Sequence, residues 1–362
     1  MAPNRKQAFT LLELLVAMGV TVLITVVLLQ VVNTSSRQWK ATAENAAAFQ
    51  SARTAFDTIT RTLSQATLNI EYDYYNAQHQ SRMTIAASLG GNKAGWDAAM
   101  AAFVPDRYGR ASGLHFISGK ALVNTQHTHA MFFQCPLDFD TDEPDPDALP
   151  EEEPAQTGGR LNASGAQGQL NAVGYFIRYE DDSADRPDFI STEKVPLRHR
   201  FRLMQFFQPA SRLDTYRDAT GSHWFTQPVN ATPAREVHLL AENIVALVIL
   251  PKLADESHQP DDALTADYEY NSRTAWSSGD QPIQMHQLPP VVRVIMVAID
   301  EASAIRNPAL GETFGSLFQK VDQLYADPDG DLKTVEDTLI RARANYRIFQ
   351  ADVAIRAAKW SL

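Results

Sequence analysis

The longest apolar stretch of the chain lies near its beginning. Between Phe9 and Val32 the only charged residue is Glu13. As an α-helix this stretch would be about 36 Å long, enough to cross a hydrocarbon core of about 30 Å. Arg5 and Lys6 precede it, so the positive-inside rule places residues 1–8 in the cytoplasm and the chain after residue 33 outside. The pattern predicts a membrane helix over residues 9–32.

Beyond Val32 the sequence becomes more polar but keeps a helical repeat to about Leu68. Apolar residues recur at steps of three and four, which places them on one face of a helix. These residues are Phe49, Ala52, Phe56, Ile59, Leu63 and Ala66. The stripe predicts an amphipathic continuation over residues 33–68 that packs against a sheet. A coiled-coil stalk is the alternative, although Thr and Ala fill the flanking positions where coiled coils usually carry charges.

Residues 69–362 predict a globular α+β body. Runs rich in Val, Ile, Phe and Tyr, bounded by turn residues, predict strands at Ile70–Tyr75, Leu114–Ser118, Ala130–Gln134, Ala172–Tyr179, His199–Gln208, Asn243–Leu250 and Val291–Ile299. Few helical patterns separate these runs, which favours an antiparallel sheet. Helices are expected at about 311–325 and 333–345. The tail over 347–357 fits a last strand, and a helix fits it nearly as well.

Composition excludes some classes of function. The formal net charge of −11 argues against a nucleic-acid partner, because binding phosphates needs a basic face. The only cysteine is Cys135, so the body cannot contain an intramolecular disulfide. Residues 138–160 contain nine acidic residues, one basic residue and four prolines, which predicts a solvated, disordered loop.

Two ordinary interpretations of the N-terminus are open. A cleaved secretory signal would use the small residues Ala41 and Ala43 as its site and leave Glu44 first. Its apolar region would be longer than the usual 7 to 15 residues and would contain a carboxylate. A plain signal anchor explains the length and orientation of the segment but not Glu13.

A third interpretation comes from a resemblance. The stretch AFTLLELLVAM, residues 8–18, resembles the leader of type IV pilins and type II secretion pseudopilins. That resemblance implies that a prepilin peptidase cleaves between Ala8 and Phe9 and that the new amino group of Phe9 is methylated. It also implies that Glu13 acts in assembly with other pilin-like subunits. Ala8 stands where the family usually has Gly.

Physical chemistry is consistent with this role for Glu13. A carboxylate deep in a bilayer costs about 2.5 kcal/mol or more, but near the cytoplasmic end it can reach headgroups or water. When apolar helices pack into a filament, Glu13 loses that water and needs a partner. The amine that cleavage frees at Phe9, on the same or a neighbouring chain, is the nearest candidate.

The resemblance extends, more loosely, into the body. Segments 239–250, 288–300 and 346–360 are similar to the late strands of J-type minor pseudopilins. The length and leader also resemble the Verru_Chthon cassette protein C family. The implied protein is a minor subunit with its N-terminus in the cytoplasm, one pass through the cytoplasmic membrane and its body in the periplasm or outside the cell.

No catalytic motif stands out. His127 and His129 could share a strand face and bind a metal, but no third ligand is evident. Residues 325–336 can be aligned with a calcium loop through Asp327, Asp329 and Glu336, although Tyr325 replaces the first ligand. A turn followed by a helix capped by Asp331 explains this segment without calcium. The sequence therefore predicts no enzyme and no cofactor, and an anchored or exported enzyme or binding protein is the alternative.

Overall fold

A computed structural model describes residues 11–89, 92–124, 126–137, 169–183, 186–187, 189, 195, 197–216, 221–231, 234, 236–253 and 263–359, without the side chains of 11–13, 40–48 and 87. One helix, α1 (Leu11–Ser64), accounts for most of the first 64 residues. The predicted continuation of the membrane helix into an amphipathic half is confirmed, but the helix ends at Ser64 and not at Leu68, so Ala66 of the predicted stripe lies just after it. The acidic stretch 138–160 lies outside the described residues.

The body is α+β, as predicted. Its strands are β1 (Glu71–Tyr75), β2 (Arg107–Ala111), β3 (Ile117–Gly119), β4 (Gln126–Leu137), β5 (Gln169–Glu180), β6 (Arg200–Gln208), β7 (Val237–Glu242), β8 (Ile244–Lys252), β9 (Tyr270–Asn271), β10 (Val291–Ile299) and β11 (Tyr346–Ala354). Its helices are α2 (Arg82–Ser88), α3 (Lys93–Ala101), α4 (His223–Asn230), α5 (Glu301–Arg306) and α6 (Asp331–Arg341).

The described strands form three antiparallel sheets. The largest has the order β7-β6-β5-β4-β3-β9, a second has the order β11-β10-β8, and β1 pairs with β2 alone. The main core lies between the six-stranded sheet, the three-stranded sheet and the second half of α1. The outer face of the six-stranded sheet is covered by α4, whose Phe225 stacks on Phe132 with ring centroids 4.1 Å apart. The central strands are therefore buried on both faces.

The stripe predicted on α1 is the face that enters the core. Ala52, Ile59, Leu63 and Ala66 are at most 1% exposed, and Phe49 packs at the edge of the cluster. The ring of Phe56 lies 5.6 Å from that of Phe349 on β11. The coiled-coil alternative for this half is wrong, because its apolar face is covered by the body of the same chain.

A bulge in β4 joins the two larger sheets. The pairing of β4 with β5 shifts register between His127 and Met131, and Thr128 adopts a positive φ of 62°. The Thr128 Oγ1 accepts a hydrogen bond from the Leu247 N–H at 3.0 Å, and the His129 Nδ1 accepts one from the Ile249 N–H at 3.1 Å. Because β8 is an edge strand, these side chains satisfy backbone donors that a buried edge would otherwise leave unpaired.

Several predictions need correction. The helix expected over 311–325 is wrong: the segment forms two short 3₁₀ turns, Glu312–Ser316 and Val321–Gln323, separated by Phe318 at a positive φ of 57°. The large side chains of Phe314 and Phe318 are buried in the core, so packing overrides helical periodicity. The helix expected over 333–345 is present as α6 and ends at Arg341, since Arg343 has a positive φ of 51°.

The remaining differences concern short or polar elements. The sequence does not predict strands β2, β7 and β9 or helices α2 to α5, because they are short and lack a clean apolar repeat. The tail forms a strand, β11, and not a helix. The predicted cap by Asp331 is also wrong. Asp331 is the first residue of α6, and its Oδ2 accepts a hydrogen bond from the Phe318 N–H at 2.8 Å.

The same substitution, placed once in each half of α1, tests whether only the second half stabilises the body. We expect Leu63→Ala to lower the free energy of unfolding of the body by about 2–5 kcal/mol, because Leu63 is fully buried and truncation leaves a cavity. Leu23 is 65% exposed, so Leu23→Ala should leave that stability unchanged. Denaturant unfolding of the full chain in detergent, followed by tryptophan fluorescence, measures both, and equal effects would contradict this account of α1.

Candidate functional site

The candidate site is α1 itself. Its segment Leu14–Trp39 is long and apolar enough to cross a membrane, and none of it is buried against the body. Polar side chains in this segment bond within the helix: the Thr21 hydroxyl donates to the Ala17 carbonyl at 2.8 Å, and the Thr25 hydroxyl donates to the Thr21 carbonyl at 2.8 Å. These bonds suit a helix in lipid, where no water is present to satisfy polar groups.

The predicted processing and assembly residues lie at the start of this helix. Ala8 and Phe9 fall outside the described residues. The backbone of Glu13 lies in the first turn of α1 as described. Its side chain is not described, so its proposed pairing with the amine of Phe9 stays a prediction. The small residues 41–43 of the secretory-signal alternative lie in the interior of α1, not at its end.

At its other end, α1 is fixed to the body by polar bonds as well as apolar packing. The hydroxyls of Thr62 and Tyr175 are 2.8 Å apart and buried. The Arg356 N–H donates to the Ser64 carbonyl at 3.2 Å, and the Thr67 N–H donates to the Gln134 carbonyl at 2.9 Å. The last turn of α1 is thus bonded to β5 and to the chain after β11, and the residues just after the helix are bonded to β4. The position of the helix relative to the body is fixed.

Buried histidines are the strongest alternative candidates for chemistry. His129, one of the two histidines considered as metal ligands, is fully buried, and its Nε2–H donates to the Phe318 carbonyl at 3.0 Å. His115 accepts a hydrogen bond from the Trp224 Nε1–H at 3.0 Å and contacts the Asn271 Oδ1 at 2.8 Å. Both rings are buried, and their hydrogen bonds connect elements of the core.

Metal ligands are not brought together in the part of the chain that the structure describes. No group of three or more His, Cys, Asp and Glu side chains there could hold a metal ion. Asp327 and Asp329 are exposed in the turn before α6, and Glu336 accepts a hydrogen bond from the Tyr346 hydroxyl at 3.5 Å. The calcium alternative therefore gains no support from this geometry.

One surface groove contains arginines that are already paired. This groove is lined by Arg200, Arg202 and Glu242 among others. Arg200 donates to Glu242 at 2.9 Å and to Glu301 at 2.5 Å, which satisfies its guanidinium within the fold. Such a groove does not offer the unpaired, convergent polar groups that a substrate site needs. The geometry therefore favours α1 over this groove as the functional element.

Comparison with protein families agrees with this assignment. Residues 3–29 match the model of the prokaryotic N-terminal methylation motif. The match includes the basic residues, Phe9, Glu13 and most of the apolar run. The chain thus carries a prepilin-type leader, the kind of leader that prepilin peptidase processes. Neither the curated proteins nor the solved structures compared with the chain gave a match.

The buried histidines predict how stability depends on pH. Burial lowers the pKa of His129 to about 4, and burial with the nearby Arg273 charge lowers the pKa of His115 to about 3. An unfolded histidine titrates near 6.5, so between about pH 6.5 and 4 the unfolded chain binds more protons than the folded chain. The free energy of unfolding should then fall by about 1.4 kcal/mol per pH unit for each of the two histidines as the pH is lowered.

Unfolding at pH 7.5 and pH 5 checks this dependence. In His129→Asn, an amide oxygen can still accept the Ile249 N–H, and the slope of stability against pH should decrease. His238→Asn, at an exposed position, is the control and should keep the parent slope. A parent protein equally stable at both pH values would show that the histidines are not neutral in the fold.

Proposed function

We propose that this chain is a minor subunit of a filament of the type IV pilus or type II secretion kind, and that its work is assembly and not catalysis. One observation carries the proposal: α1 is a single helix with an unburied apolar half and a second half fixed in the core of the body. Such a helix can leave the bilayer and pack against other helices without disturbing the body. This is what a filament subunit must do.

The free energy of assembly on this proposal comes from the first half of α1. In the membrane its apolar side chains contact lipid, and in a filament they contact the same surfaces of neighbouring helices. Packing of this kind places helix axes about 8–10 Å apart. Glu13 then lies among apolar helices, and the methylated amine of Phe9 supplies the positive charge that compensates it. Cleavage after Ala8 is therefore needed for assembly as well as for maturation.

The size of the body supports a minor role. A globular unit of about 300 residues has a radius of gyration of about 19 Å, so its diameter is several times the spacing of packed helices. Bodies of this size cannot follow one another in a filament as closely as the helices do. This restriction is weakest for a subunit at the tip, or for one that initiates assembly, because it need not stack on copies of itself. We therefore place the chain at such a position and not among the repeating subunits.

The mature N-terminus tests the processing step. Mass spectrometry of protein purified from a strain with its prepilin peptidase should show a chain that begins with N-methylated Phe9. Deletion of the peptidase should leave the leader attached, which is the control. A chain that begins at Glu44 would indicate ordinary secretion, and an unprocessed chain in the peptidase-positive strain would indicate a simple anchor.

Substitution at Glu13 tests assembly separately from processing. We expect the Glu13→Ala variant to be cleaved after Ala8 and inserted in the membrane like the parent. Its amount in sheared filaments, or in crosslinks to neighbouring subunits, should fall on the order of tenfold or more, because a buried ion pair is lost. Glu44→Ala, which removes a carboxylate from the same helix outside the apolar half, should assemble like the parent. Normal incorporation of Glu13→Ala would refute the role given to this carboxylate.

A further inference from the structure

One end of the body faces the membrane in which α1 is anchored. The Arg347 guanidinium, at the start of β11, lies 5.7 Å from the ring centroid of Phe49, where α1 first meets the body. From there β11 follows α1 outward, since Phe349 contacts Phe56 and Arg356 bonds to Ser64. The start of β11 and the elements beside it therefore form the membrane-proximal end of the body.

This end also includes the last residues of α5 and α6. The Arg306 guanidinium donates to the Arg343 carbonyl at 3.2 Å, and the Asn307 amide lies 3.4 Å from the Ala342 carbonyl. Strand β11 pairs with β10 through Tyr346 and Ile299, which places the start of α5 at the same level. The carboxyl ends of the two helices thus lie together on the side of the body that is nearest the bilayer.

The distance to the bilayer is short. The candidate span ends at Trp39 and the uninterrupted apolar run ends at Val32, so the helix rises about 15–26 Å between the end of the span and Phe49 at about 1.5 Å per residue. Headgroups occupy roughly 5–8 Å of that distance on each side of the hydrocarbon core. When the distance is measured from Trp39, an extended arginine side chain covers most of what remains. Exposed Arg37 lies at the outer end of the span itself.

Four arginines project from this end. Arg306, Arg341, Arg343 and Arg347 are all exposed. The hydrogen bonds of Arg306 and Arg341 go to backbone carbonyls and to the Ser303 hydroxyl. Among the described residues, no ion pair joins any of the four to a carboxylate. In a chain with a net charge of −11, the grouping of four exposed cations at one end gives that end a charge opposite to that of the chain as a whole.

The acidic groups near these arginines are Asp337, Glu336 and Glu301, and two of the three already have partners within the fold. Asp337 is one helical turn before Arg341, and Glu336 is bonded to the Tyr346 hydroxyl. Glu301 is paired with Arg200. The same end exposes two large apolar side chains, Ile305 at 58% and Ile340 at 60%, each adjacent in sequence to one of the arginines. Basic and apolar side chains side by side are typical of surfaces that bind membranes.

We propose that the membrane-proximal end of the body binds anionic phospholipid headgroups. The guanidinium groups of the four arginines would bond phosphate oxygens in the bidentate manner that suits arginine, while Ile305 and Ile340 enter the headgroup layer. Because α1 anchors the chain in the membrane, this end of the body is already close to the lipid surface. Each basic residue near an anionic surface adds to the electrostatic attraction between the body and the lipid. This inference rests on the single-pass anchor and is independent of assembly into a filament.

Energy transfer measures the docking of the body in the full chain. Ala309, exposed beside α5, is replaced by cysteine and labelled, while the native Cys135 is buried and should not react. The chain is placed in nanodiscs with acceptor dye on the headgroups. Transfer should be higher in discs that contain phosphatidylglycerol than in discs of phosphatidylcholine alone, and high salt should abolish the difference.

Variants identify the groups responsible. Replacing Arg306, Arg341, Arg343 and Arg347 together by glutamine should lower the ratio of docked to undocked body on the order of tenfold or more. Replacing all four by lysine should retain most of the effect, which shows that the fold survives and that charge is what matters. The control replaces four exposed cations elsewhere on the body, Lys93, Arg212, Arg356 and Lys359, by glutamine and should dock like the parent.

Two results would overturn the proposal. Equal transfer in neutral and anionic discs, or no loss in the glutamine variant, would show that these arginines do not bind lipid. A response that appears only when another pilin-like protein is added would show that an acidic protein surface is the partner. Because none of these measurements needs a filament, failure here leaves the assembly proposal intact, and failure of assembly leaves this one intact.

Discussion

The burial of one face of α1 in the core of the body is the interaction on which the rest of the structure depends. Ile59, Leu63 and Ala66 are fully buried there, and the Thr62 hydroxyl bonds to Tyr175 inside the same core. Because the helix is continuous from Leu11 to Ser64, fixing its second half also fixes the direction in which the first half leaves the body. A force applied to the membrane half is therefore transmitted to the core and not to a flexible linker.

Forming that core requires the backbone donors of the edge strand β8 to be hydrogen-bonded. Two sheets enclose α1, and β8 lies at the edge of one of them, where unpaired backbone donors would be buried. The bulge in β4 places Thr128 and His129 against that edge, so side chains complete the hydrogen bonding that a neighbouring strand would otherwise supply. This accounts for polar residues in the middle of an apolar strand without any catalytic or metal-binding role.

Close packing on the outer face of the six-stranded sheet imposes a second local requirement. A Cβ atom at Gly174 would lie 2.1 Å from the Phe132 ring, so only glycine allows that ring to lie flat between β5 and α4. The aromatic cluster around Trp224 depends on this contact. The body is thus held by noncovalent contacts, since its one cysteine is buried and unpaired.

The sequence by itself determined the features that follow from local pattern. The apolar run, its lone carboxylate Glu13 and the preceding basic residues define the leader, and steps of three and four define the buried face of α1. Strong strands such as β10 were also evident, because their apolar side chains are contiguous in the chain. Only the tertiary structure decided the rest: the 3₁₀ turns around Phe318, the buried bridging roles of His115 and His129, and the grouping of Arg306, Arg343 and Arg347. These three features depend on contacts between residues far apart in the chain, and such contacts cannot be predicted from local periodicity.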